Sequence, residues 1–199
     1  MIVLLDTSHD LQTAEQEIGA PVEQLLTPLT RFSPQQPESY FAIDNGAFSK
    51  FDRTRFVNLL DREQDRKNLC RFVAVPDVVG SARRTLECFD SWADRLSGWR
   101  LALVAQDGLQ DLEVPWKSID AIFIGGSTEW KMSSHASQVI KAAQLLDKWV
   151  HVGRVNAPGR FEYFEELGVD SIDGTGLSRY SWMRKRIYER DKQQKFVLA

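Results

Sequence analysis

Short apolar runs rich in β-branched residues recur along the chain, and each gives way abruptly to polar or glycine residues. They are Ile2-Val3-Leu4-Leu5, Gln24-Leu25-Leu26-Thr27, Tyr40-Phe41-Ala42-Ile43 and Phe72-Val73-Ala74-Val75. Then follow Leu101-Ala102-Leu103-Val104-Ala105, Ala121-Ile122-Phe123-Ile124, Trp149-Val150-His151-Val152 and Val169-Asp170-Ser171-Ile172. Most are nearly continuous in apolar residues, as expected of parallel strands buried on both faces. Helical spacing appears between several of them. Thr54 to Asp65 carries Phe56, Leu59 and Leu60 on one face, and Ser81 can cap a helix bearing Leu86, Phe89, Ala93 and Leu96. Ser133 or Ser134 opens a third, with Val139, Ala143 and Leu146. Pro158 can start a fourth that Gly168 stops, and Ser178 to Gln193 reads as a last, largely cationic helix.

Strands alternating with helices predict an α/β fold with a parallel sheet, and eight strands favour a closed (β/α)8 barrel over an open one. At 199 residues the chain stands near the lower limit for that fold, about 200 residues, so some helices must be trimmed. With no linker, repeat or low-complexity stretch, residues 1–199 read as one domain, and 33–37 (Ser-Pro-Gln-Gln-Pro) as an exposed loop.

Composition narrows the class. The apolar share is 43% and mean hydropathy −0.34, with no apolar run near the ~18 residues of a membrane span. The N-terminus lacks the basic leader of a signal peptide, and Cys70 and Cys88 make no disulfide framework, so a cytoplasmic protein is expected. Net charge is −3, yet the C-terminal segment is basic. Arg179, Arg184, Lys185, Arg186, Arg190, Lys192 and Lys195 stand there against Glu189 and Asp191 alone. Such asymmetry suits either a phosphate-binding face or a solvated helix surface.

The strand ends carry the candidate chemistry. Successive runs end in Asp44-Asn45-Gly46-Ala47-Phe48, Pro76-Asp77, Gln106-Asp107-Gly108, Gly125-Gly126-Ser127, Gly153-Arg154-Val155-Asn156 and Asp173-Gly174-Thr175-Gly176. In a parallel barrel these ends share one rim, where barrel active sites lie. Any single Asp there could be a helix cap, and any Gly a turn. His9, His135 and His151 are scattered, and His151, inside an apolar run, reads as a packed core residue. No phosphate loop or dinucleotide fingerprint is present. Paired carboxylates remain, suited to attack at a sugar C1 by one while the other protonates the leaving group.

Five motifs, in order, resemble the tRNA-guanine transglycosylase family. The likeness is greatest to its short relatives associated with 7-deazaguanine modification of DNA in phages and bacteria. Asp44-Asn45-Gly46-Ala47-Phe48 is similar to the family's Asp-Ser-Gly-Gly-Phe, and Asp77 falls where its base-recognising Asp stands. Val104-Ala105-Gln106-Asp107-Gly108 is similar to its Val-Gln-Gly, Ile124-Gly125-Gly126 to its Ile-Gly-Gly, and residues 168–173 to its Gly-(Val/Ile)-Asp-x-Phe-Asp.

The resemblance implies a (β/α)8 barrel that replaces guanine in nucleic acid with a 7-deazapurine through a covalent aspartyl–sugar intermediate. In that scheme Asp173 is the nucleophile and Asp44 the acid/base. Asp77, Gln106, Gly125, Gly126 and Asn45 form the base site, with Gln106 and the Gly126 N–H holding O6. From their charge and their placement after the seventh and eighth strands, Arg154, Arg179, Arg184, Lys185 and Arg186 are expected to hold flanking phosphates, and the glycines of Gly174-Thr175-Gly176 to leave clearance for the sugar-phosphate. The family's zinc-binding Cys and His have no counterpart, so no zinc subdomain, metal or other cofactor is expected, and DNA is favoured over tRNA as partner. Ala47, Gly174 and Glu129-Trp130-Lys131 also depart from the family pattern. A homodimer or a partner protein would help so small a barrel hold DNA. A base-releasing glycosidase using the same carboxylates, and a non-catalytic nucleic-acid-binding subunit, are the alternatives.

Overall fold

Eight parallel strands close on themselves in sequence order in the computed structural model, which describes residues 1–6, 11–32, 38–187 and 189. The strands are β1 (Ile2–Leu5), β2 (Val22–Leu26), β3 (Phe41–Ile43), β4 (Cys70–Ala74), β5 (Leu101–Ala105), β6 (Ala121–Ile124), β7 (Trp149–Val152) and β8 (Ser171–Asp173). β1 completes the ring by pairing with β8, Leu4 opposite Asp173. The expected (β/α)8 barrel is therefore the fold.

Strand alternation divides each run between two cores. Leu4, Leu25, Ala42, Phe72, Ala74, Ala102, Val104, Ala121 and Phe123 fill the barrel. Val3, Leu5, Ile43, Val73, Leu103, Ile122 and Ile172 face outward, under the helices. This is why the strands read as continuous apolar runs. The floor is polar instead. Arg71 makes a two-pronged pair with Glu23 (2.6 and 3.0 Å), and its guanidinium lies 3.8 Å from the Tyr40 ring centre and 5.1 Å from that of Trp149. All four residues sit at the N-terminal ends of their strands, the face that serves stability in this fold.

The helices are α1 (Leu11–Ile18), α2 (Arg53–Arg62), α3 (Ala82–Ala93), α4 (Thr128–Lys131), α5 (Ser134–Leu145), α6 (Pro158–Glu166) and α7 (Thr175–Arg179). Side chains of Asp52, Ser81, Ser127 and Ser133 cap α2 to α5 by accepting a backbone N–H of the first turn. Pro158 opens α6, and Gly168, at φ +69°, follows its end. Trimming falls on the β2–β3 and β5–β6 connections, where no α-helix occurs among the described residues.

Two helix expectations change. α1 was not anticipated, because only Ala14 and Ile18 of its eight residues are buried and its apolar stripe is correspondingly thin. The last helix is broken. α7 ends at Arg179, Tyr180 is extended (φ −123°, ψ 111°), and 181–187 is a separate helical segment. His9, the loop 33–37, Arg190, Asp191, Lys192 and Lys195 lie outside the described residues. Among the described residues no helix is long and apolar enough to cross a membrane.

Candidate active site

Asp44, Asp77, Gln106, Gly125, Arg154 and Asp173 converge on one cavity of about 1090 Å³ at the C-terminal mouth of the barrel. Parity explains most of it. Asp44 continues the inward alternation of Ala42, Gln106 that of Val104, Gly125 that of Phe123, and Asp173 that of Ser171. Asp6, which follows Leu4 in the same way, brings a fourth carboxylate into the mouth. The sequence offered the same signal for Asp6, an Asp directly after an apolar run.

The carboxylates differ in their surroundings. Asp173 accepts the Arg154 N–H on Oδ1 (3.0 Å), while its Oδ2 lies 2.9 Å from His151 Nε2. Both oxygens thus face nitrogen partners fixed by the fold, which set the orientation of the carboxylate. Among the described residues Asp44 has a single donor, the Gly46 N–H at 2.8 Å. Burial deep in the mouth, opposed by that bond and reinforced by the negative charges of Asp173, Asp77 and Asp6, pushes its pKa up to about 7. Burial also raises Asp6 and Asp77, against lowering hydrogen bonds from Thr30 and from Asn45 and Gln106, respectively.

Asp77 is held by two carboxamides. Asn45 Nδ2 donates to its Oδ1 (2.8 Å) and Gln106 Nε2 to its Oδ2 (2.7 Å). Asn45 is spent in doing so, since Nδ2 also donates to Val75 O and Oδ1 accepts the Ala47 N–H. Both of its amide hydrogens are thus engaged, and its role in this structure is to support Asp77. Gln106 Oε1 accepts the Gly80 N–H, which leaves one hydrogen of Nε2 free of these bonds.

Arg154 adopts φ +61°, a conformation that costs a non-glycine residue on the order of 1 kcal/mol. The turn aims its N–H at Asp173 and folds its guanidinium over Phe48 (4.2 Å) and onto the carbonyls of Gly125 and Gly126. Behind it Lys131 is buried in α4 and donates to Gly153 O. Burial, helped by the charge of Arg154, lowers Lys131 to about 8.

Several expected roles need correction. The Gly125 and Gly126 N–H groups both donate to Ala105 O, so the Gly126 N–H is not free to hold a base carbonyl. The two glycines serve close packing. A Cβ on Gly125 would lie 2.7 Å from Val104 Cγ1, and one on Gly126 2.4 Å from Asp107 Oδ1. Gly174 and Gly176 likewise serve close packing, since a Cβ on either would lie 2.5 Å from Val155 O or Met183 Sδ, respectively, while Gly174 and Thr175 line the mouth. Arg184 and Lys185 turn to Glu17 on α1 (2.6 and 3.8 Å), and Arg186 is exposed on the same segment, so none of the three lines the mouth. Arg179 does line it, with Lys50, Arg53, Arg55 and Arg160, which sequence reading missed because they are scattered over one loop and two helices. No group of three or more His, Cys, Asp or Glu side chains that could hold a metal comes together among the described residues.

Fold and mouth define a (β/α)8 barrel with a carboxylate-lined C-terminal cavity. No family model matches the chain, and no curated protein matches it significantly. Among solved structures it is similar to mandelate oxidase with 3,3-difluoro-2-hydroxy-3-phenylpropionic acid, at TM-score 0.54 and 13% identity over 90% of this chain. The match takes in 65% of that chain, so this protein spans just under two thirds of its length. A native KDPGal structure aligns at TM-score 0.46 and 13% identity, covering 96% of this chain and 94% of its own. The likeness to mandelate oxidase is one of fold.

Proposed function

We propose that the protein is a base-exchange transglycosylase acting on nucleic acid, with DNA favoured. The observation that carries the reading is the unequal pair in one mouth, Asp173 between two nitrogen partners and Asp44 with one donor and a pKa near 7. One carboxyl oriented by two nitrogen partners and one raised by burial can divide the roles of nucleophile and acid between them.

In the first step an Asp173 oxygen attacks C1′ of the target nucleotide, the C1′–N9 bond breaks, and its electron pair leaves with the purine. Asp44 supplies the proton that makes the departing base neutral. The incoming purine then gives its N9 proton to Asp44, attacks C1′, and returns the electron pair to Asp173. Bond energy is conserved in the sugar ester, so no outside energy source enters. Asp77 accepts the N1–H and exocyclic amine of a guanine-type base, and the spare Gln106 hydrogen meets its O6. A base lacking these groups would leave Asp77 and Gln106 unpaired and be rejected strongly.

The target base must leave its stack to reach this mouth, so a single strand is the simplest substrate. The test is incubation with radiolabelled guanine and single-stranded DNA or RNA oligonucleotides. Incorporation into DNA above RNA is expected. Abasic sites without incorporation would make the protein a glycosidase, and absence of both would end the enzymatic reading.

Lys50, Arg53, Arg55 and Arg179, exposed on the rim, supply the phosphate contacts on this reading. Replacing Lys50 and Arg179 with alanine should weaken oligonucleotide binding. The slope of log K against log salt should flatten by about 0.7 for each phosphate that is no longer neutralised. Alanine at Arg184 and Lys185 should leave that slope unchanged, as fluorescence anisotropy between 50 and 200 mM salt, roughly the range where such effects show, would reveal.

A further inference from the structure

Polar side chains on two neighbouring strands make an unbroken chain through the barrel. Trp149 Nε1–H donates to Ser171 Oγ (2.8 Å), Ser171 Oγ lies 2.9 Å from His151 Nδ1, and His151 Nε2 lies 2.9 Å from Asp173 Oδ2. His151 and Ser171 stand opposite each other in the β7–β8 register and have no exposure to solvent. Barrel interiors are filled mainly by branched aliphatic residues, so these two positions depart from the usual packing. Every buried side-chain polar atom among the described residues nevertheless has a partner.

The chain has a direction. An indole N–H can only donate, so Ser171 Oγ accepts from Trp149 and keeps its own hydrogen to give. Trp149 and His151 are the partners of Ser171 Oγ among the described residues, and only His151 can receive that hydrogen. Nδ1 is then the acceptor and Nε2 carries the proton, aimed at Asp173. An imidazolium would send a second hydrogen to Ser171 Oγ and strip the hydroxyl hydrogen of its acceptor. The ring cannot swing away, since Phe123 meets it at 4.5 Å and 61° and Phe72 at 5.0 Å.

We propose that His151 is a positioning residue for Asp173, its neutral Nε2–H held on the carboxylate by a hydrogen-bond chain that begins at Trp149. The Nε2–H and the Arg154 N–H fix both carboxylate oxygens from opposite partners, so the carboxylate cannot rotate without breaking one bond. The kinetic consequence rests on the reading of Asp173 as nucleophile, whereas the tautomer does not.

Two measurements separate these. In the ¹⁵N spectrum of the intact protein near pH 7.5, His151 should show the neutral Nε2–H form, and an Nδ1–H form or an imidazolium would overturn the proposal. In single turnover with an oligonucleotide, His151→Phe should slow formation of the covalent adduct by about 100-fold with the dissociation constant unchanged. His151→Gln, whose amide can still donate to Asp173, should recover about tenfold of that loss. Equal losses in the two variants, or a loss confined to binding, would overturn it. If the wild-type protein forms no adduct, the nucleophile reading fails and the spectrum alone decides the tautomer. If His151→Phe does not fold, Ser171→Ala takes its place. It should mix the tautomers and slow the adduct about tenfold, and an unmixed spectrum would refute the chain.

Discussion

Asp173→Asn is expected to lower base exchange by about 10⁴-fold or more, to eliminate any covalent sugar adduct, and to leave oligonucleotide affinity within about threefold. The amide has no anionic oxygen to attack C1′, so the bond-forming step is lost while the cationic rim is untouched. The substitution also disturbs the hydrogen bonds around it. Asp173 now faces the Arg154 N–H with one oxygen and His151 Nε2 with the other. An amide offers only one acceptor atom, so a donor must confront a donor on one side, an arrangement worth about 1–3 kcal/mol if nothing adjusts. The imidazole can relieve that clash by moving its proton to Nδ1, 2.9 Å from Ser171 Oγ, which exchanges it for a Ser171 hydroxyl hydrogen left without its acceptor. The variant should therefore fold, with a shift in His151 tautomer as its signature. Mass spectrometry of the trapped complex and anisotropy with the same oligonucleotide check both halves. Exchange at the wild-type rate would remove Asp173 from the mechanism.

Asp44→Asn should make the protein more stable and inactive together. Burial first, and then the neighbouring charges of Asp173, Asp77 and Asp6, hold the Asp44 pKa at about 7 against an ordinary 3.8. Between those values the folded protein keeps a proton that the unfolded chain has released. Unfolding therefore becomes easier as pH rises above about 4, and the loss is complete above about 7. An amide at this position carries no such penalty. It should raise the unfolding free energy at pH 8 by on the order of 2–4 kcal/mol and leave it little changed near pH 4. Urea titrations at the two pH values would show this, and equal stability of the two proteins at pH 8 would mean that the carboxyl is not held under strain. Sites that hold charged groups for chemistry commonly trade stability for activity in this way.

Most of the barrel was legible because its strands are apolar on both faces and stop at polar residues. Asp44, Asp77, Gln106 and Asp173 were legible for the same reason, since strand ends in this fold all point to one mouth. What escaped the sequence is telling. His151 looked like core and is core, but register places it beside Ser171 and below Asp173, and register between strands cannot be read from one strand alone. Arg184 and Lys185 looked like a phosphate grip because they are basic and near the C-terminus. Only the fold reveals that Glu17, far away in sequence, already faces them. The glycines at 174 and 176 suggested open space alone, whereas the fold uses both for close packing against Val155 and Met183. Composition reports which residues are small or charged, and three-dimensional neighbours decide what that is for.

The closed floor of the barrel bears on the order of events. Arg71, Glu23, Tyr40 and Trp149 seal the N-terminal end, and Phe72, Phe123 and His151 fill the middle. On the proposed reading one purine cradle, formed by Asp77 and Gln106, opens through one doorway. Outgoing and incoming bases must then use it in turn. Free guanine and the incoming purine would compete for the same vacancy on the sugar-bound protein, and the direction of exchange would follow their relative concentrations and affinities.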